Sequence, residues 1–148
     1  MPTFLAIGLL MAAGAALVVQ NLLMLRLTAL SSTTIIPLAI NSAVGLALLL
    51  ILLLLRSGAN GLAEAASVFR PWVLLPGILG TFFVFAGLNG YQHIGAAPTI
   101  AVLVASQLAA GIVADMIKAG HDPFPSGRSL VGAALLISGA FLIARERV

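Results

Sequence analysis

The chain has 148 residues, of which 61% are hydrophobic and 7% charged, whereas an ordinary soluble domain carries roughly 25% charged residues. So few charges cannot coat a water-facing surface, and the nearly unbroken apolar runs lack the polar spacing of amphipathic helices or half-buried strands. The net charge of +3 rests on basic residues scattered singly at the ends of apolar runs, which excludes nucleic acid as a partner. No cysteine is present, and His93 and His121 lie far apart, so no metal site and no cofactor is expected.

These properties predict an all-α integral membrane protein of about five transmembrane helices, because about 20 apolar residues are needed to cross roughly 30 Å of hydrocarbon. The first span covers about 3–25 and stops at Arg26. It imitates a secretory signal, with small residues Ala13 and Ala15 resembling a cleavage site. No Lys or Arg precedes it, however, and its apolar run exceeds that of a signal. A second span covers about 32–55 and stops at Arg56. Residues 57–70, with Glu64 among several small residues, read as a short interfacial helix or loop. The third span, about 71–91, starts at Pro71 and Trp72 and ends at Tyr91, so aromatic anchors bracket it. The tight loop over 92–97 makes the next span its neighbour. That fourth span, about 97–118, has Pro98 in its first turn and Lys118 at its end, before Gly120 and the loop of Asp122, Pro123 and Pro125. The fifth, about 128–144, offers only about 16 apolar residues, which Arg128 and Arg145 can lengthen by snorkelling. Residues 1–148 form a single transmembrane domain, in contact with membrane lipid.

With five spans the N-terminal side carries Arg56, Arg70, Lys118 and Arg128, and the other side carries Arg26, Arg145 and Arg147. Orientation follows the excess of Lys and Arg in cytoplasmic loops, and four against three is almost no excess. The expectation is dual topology, with oppositely inserted copies pairing as an antiparallel homodimer; the alternative is a weakly biased chain oriented by its first helix or by a partner. Small residues supply surfaces for pairing: Gly8, Ala12 and Ala16 on the first span, Ala105 and Ala109 beside Ser106, Ala110 and Ala114 on the fourth. Gly132 and Gly139, a heptad apart, are the dimer-packing candidates on the fifth.

Polar groups deep in a bilayer are costly and mark functional positions. Gln107 falls near the midpoint of span four, and Asn41 near that of span two with Ser42 beside it. Gln20 lies about 9 Å from the centre of span one at 1.5 Å per residue. A carboxamide donates and accepts, so each of these can either hold a polar substrate or bridge two helices. Asp115 is the only acid inside an apolar run, about 12 Å from the centre of span four. It can pair with Lys118 at i, i+3 or serve in coupling to a proton or cation. His93, beside Tyr91 and Gln92, reads as interfacial. No nucleophile, base and orienting group can be assembled, so no enzyme is expected.

The segment from Trp72 through Gly77, Gly80, Phe82 and Phe83 to Gly95 and Ala96, followed by Gln107 and Asp115, resembles the YdcZ-like family of small bacterial inner-membrane proteins. This family lies in the drug/metabolite transporter superfamily. Gln20 with Arg26 and Leu27, Val44 with Gly45, and Gly132 extend the resemblance over nearly the whole chain. Met24 stands where the family usually has asparagine, and Ser106 where it usually has glycine. The resemblance implies a five-helix unit working as an antiparallel pair, with itself or with a related chain, in the inner membrane of a bacterium. It implies transport of a small-molecule substrate, a metabolite or lipophilic compound, by alternating access. A non-transporting packing or regulatory subunit is the alternative.

Overall fold

The computed structural model describes residues 2–119 and 127–145, apart from the side chains at 118, 119 and 128–130. The described residues are all-helical, without a strand among them. In chain order they form α1 (Thr3–Ala29), α2 (Ile35–Ser67), a single 3-10 turn (Pro71–Val73), α3 (Leu74–His93), α4 (Ala96–Ala119) and α5 (Gly127–Arg145). By length and composition, four stretches can cross a membrane: Thr3–Ala29, Ile35–Ser67, Pro71–His93 and Ala96–Ile117. The apolar stretch of α5, Val131–Arg145, is shorter. The whole of α5 has 19 residues, a rise of about 28 Å, which nearly matches the hydrocarbon thickness of about 30 Å.

α1 continues past Arg26 to Ala29, because a long basic side chain can reach toward water without interrupting its helix. Backbone groups close the end of the helix: Leu30 N–H donates to the Leu27 carbonyl and Ser31 N–H to the Thr28 carbonyl, each at 3.1 Å, which satisfies carbonyls that have no partner within the helix. Two hydroxyls add to these, Thr28 Oγ1 donating to the Met24 carbonyl at 2.9 Å and Ser31 Oγ to the Leu27 carbonyl at 2.7 Å.

α2 has 33 residues, about 50 Å at 1.5 Å per residue, which exceeds the hydrocarbon thickness. It is broken by a kink at Gly58, whose φ of 58° and ψ of −154° belong to a region that essentially only glycine occupies. Residues 57–70 therefore begin as a helical continuation beyond a bend and end in an extended Arg70 that leads into the Pro71 turn.

The helices form two compact units whose boundary falls within α3, after Leu88. In the first, Met24 of α1, Leu38 of α2 and Leu88 of α3 make a small buried core, flanked by Leu25 and Val84. Leu88 is completely buried. Outside that core, large apolar residues such as Leu9, Leu49 and Ile78 are exposed, as suits a surface solvated by lipid.

In the second unit α4 packs on α5, with Ala133 and Ala140 buried. The last turn of α3 meets the first turn of α4 across a two-residue connection, Ile94 and Gly95. Gly95 has φ 88°, which makes the reversal possible without strain. The approach is close: a Cβ on Gly90 would lie 2.6 Å from Thr99 Cγ2 and 2.8 Å from Thr99 Oγ1. Thr99 is buried and donates its hydroxyl to the Gly95 carbonyl at 2.7 Å.

Candidate functional site

Several hydroxyls on the apolar helices are spent on their own backbone. Thr81 donates to the Gly77 carbonyl and Ser106 to the Leu103 carbonyl, as Thr28 and Thr99 do in their helices. Such groups carry little unspent polarity into the membrane. The carboxamides differ.

Gln20 Nε2 donates to Asn41 Oδ1 at 2.9 Å, tying α1 to α2. The two residues are placed for this by the helical hairpin. Gln20 lies ten residues before Leu30 and Asn41 ten residues after Ser31, so the chain reversal brings them to the same depth. Since α1 runs to Ala29, Gln20 is four residues from the helix midpoint at Ala16, about 6 Å rather than about 9 Å. Both side chains are half-buried and line a groove of about 630 Å³ between α1 and α2. The rest of its wall is apolar, including Ala16, Val19, Leu23, Met24, Ile40 and Val44. No charged residue lines it.

Ser42, the next residue on α2, projects elsewhere. It is exposed and lines a separate groove of about 870 Å³ with Thr81, Phe82 and Phe85. Successive helical residues point about 100° apart, so α2 presents polarity to two grooves from adjacent positions.

The remaining candidates belong to the second unit. Gln107 stands at the middle of α4, is exposed, and its side chain hydrogen-bonds to no described residue. Asp115 is exposed near the end of α4, but the Lys118 side chain expected to pair with it lies outside the described residues. The loop of Asp122, Pro123 and Pro125 and the side chain of Arg128 also lie outside them. A Cβ on Gly132 or Gly139 would meet nothing within 4 Å. Gly132 is exposed, whereas Gly139 lines an apolar groove of about 420 Å³ between α4 and α5. His93 is exposed, and its Nδ1 lies 2.8 Å from the Asn89 carbonyl.

Two features escaped the sequence reading. Asn21 is buried, with only 8% of its surface exposed, although in the sequence it is one more polar residue beside Gln20. The Gly90 and Thr99 approach also went unnoticed; its signal was a glycine and a small residue placed symmetrically about the short connection.

The family described as "Putative inner membrane exporter, YdcZ" matches residues 5–142. Inner membrane protein YdcZ of Escherichia coli (strain K12) is 48% identical over 143 residues, covering 96% of each chain. No solved structure matches the chain. Helices of bilayer length and a match over nearly the whole chain agree: the chain belongs to the YdcZ family, multi-pass membrane transporters of the bacterial inner membrane.

Proposed function

We propose that two inverted copies of the chain pair in the membrane and move a small metabolite or lipophilic compound by alternating access around a midplane site. The observation that carries this reading is Gln107, an exposed carboxamide without a hydrogen bond to any described residue at the middle of a membrane-crossing helix. In hydrocarbon each unsatisfied group of this kind costs several kcal/mol. The partner therefore comes from a second copy, from cargo or from cavity water. The balance of four basic residues against three supports inverted pairing, since neither insertion is strongly favoured. Open small-residue positions such as Gly132 give the pair a place to approach.

The test is Gln107→Leu, which keeps a similar volume and removes the hydrogen bond. Dimer stability and efflux of a lipophilic dye from proteoliposomes are measured on the same purified protein. Intact assembly with lost efflux places Gln107 in the pathway. If Gln107 bridges the two copies, assembly weakens first, by about 0.6 to 2 kcal/mol. Normal assembly with undiminished efflux overturns the role given to Gln107.

A further inference from the structure

We infer that the groove around Gln20 and Asn41 is a binding site for an uncharged lipophilic molecule carrying a carbonyl next to an N–H or O–H, such as a carboxamide. This rests on the transport reading above and specifies the class of its cargo.

The hydrogen bond from Gln20 Nε2 to Asn41 Oδ1 links the two amides and leaves part of their capacity unspent. Gln20 Oε1 remains as an acceptor, and both N–H groups of Asn41 remain as donors, since neither side chain makes a further hydrogen bond to a described residue. Both carboxamides line the same groove, so together they match a ligand that both donates and accepts. One ligand amide meets both at once.

The remaining wall excludes other chemistries. Its side chains are apolar and none is ionisable, so an ion entering it would lose hydration without gaining a counter-charge. A plain hydrocarbon would fill the space but leave the carboxamides unsatisfied in a medium that offers no replacement. The same argument disfavours an apolar helix face of a second copy as occupant. The volume of about 630 Å³ lies within the roughly 300–1,000 Å³ typical of pockets for small organic molecules.

The experiment uses the full chain in lipid nanodiscs, with anthracene-9-carboxamide as probe and anthracene, anthracene-9-carboxylate and 9-anthracenylmethyl-trimethylammonium as comparators. Equilibrium dialysis against empty nanodiscs of the same lipid corrects for partitioning. The carboxamide is expected to bind about tenfold more tightly than anthracene, the scale of one to two hydrogen bonds. It should also bind more tightly than either ion. Asn41→Leu should reduce the carboxamide to the affinity of anthracene. Ala16→Leu, which retains both carboxamides and fills the groove, should weaken all uncharged probes together, so the site remains testable if the first variant folds poorly. Nitrogen-15 resonances of the Gln20 and Asn41 side chains should move with carboxamide and stay with anthracene.

Equal binding of carboxamide and anthracene, tighter binding of either ion, or a second copy cross-linking through Ala16→Cys would overturn the inference. Carboxamide selectivity without dye efflux in vesicles made from the same protein supports the site and sinks the transport reading, whereas efflux without selectivity does the reverse.

Discussion

Replacing Gly90 with alanine adds one methyl group at the point where α3 and α4 come closest. The new Cβ would lie 2.6 Å from Thr99 Cγ2, 2.8 Å from Thr99 Oγ1 and 3.3 Å from Thr99 Cβ. The first two distances are the severe ones, and the third persists whatever the threonine rotamer. Thr99 has little freedom in any case, being 4% exposed and held to the Gly95 carbonyl. Relief must come from moving one helix, and overpacking of this kind costs about 1–3 kcal/mol. Alanine recovers about 0.8–1 kcal/mol through its better helix propensity. The net expectation for Gly90→Ala is a loss of about 0–2 kcal/mol. Thr99→Ala alone should lose about 0.5–1.5 kcal/mol with the hydroxyl bond, yet in the Gly90→Ala background it removes the two nearest atoms and should restore stability. The four proteins are compared by titrating mixed micelles with sodium dodecyl sulfate and following helix content by circular dichroism. Additivity of the two substitutions within about 0.5 kcal/mol would refute the close approach.

In a double-mutant cycle, Gln20→Leu and Asn41→Leu should couple by about 0.6–1.7 kcal/mol in the same titration, the range for hydrogen bonds between membrane helices; zero coupling would mean that the bond contributes nothing to folding. Gly58→Ala forces a side chain into a glycine-only backbone region and should cost about 1–3 kcal/mol, or else straighten α2, which hydrogen exchange over residues 59–67 would reveal as slowed. Reporters on the C-terminus active on only one side of the membrane should give signal on both sides, and two lysines added after Arg26 should abolish one of them. A single orientation in the unaltered chain would refute dual topology.

The helical membrane fold was legible because apolar runs of bilayer length leave few alternatives, and because Arg26, Arg56, Pro71 and Pro98 punctuate them. The helix ends were less so. Arg26 reads as a stop, but its charge can leave the membrane while its backbone stays helical, and the helix closes at Ala29 where Leu30 and Ser31 N–H cap the Leu27 and Thr28 carbonyls. Gln20 and Asn41 were each readable as candidates from depth alone. Their contact was not, since it depends on the register of the hairpin, which the five residues between α1 and α2 fix in three dimensions. Asn21 shows the opposite limit, because a polar residue gives no sign in sequence of whether its neighbours will cover it. For Gln107 the described residues hold no hydrogen-bond partner, and depth along the helix does not say what would supply one.

The bend at Gly58 also bears on how the chain meets bilayers of different thickness. Residues 35–57 rise about 35 Å before the bend, slightly more than the hydrocarbon of an average membrane. A straight α2 of 33 residues would have to tilt steeply or thicken the lipid around it. With a glycine joint, the excess length after residue 58 is released from that constraint, and the exposed Leu62, Val68, Phe69 and Trp72 give it apolar and aromatic groups suited to the headgroup boundary. Thinning the bilayer then changes where the joint lies relative to the lipid surface instead of changing the inclination of the spanning segment. Mismatch costs fractions of a kcal/mol for each Å, so the joint widens the range of membranes in which α1 and α2, and the carboxamides between them, keep the same alignment.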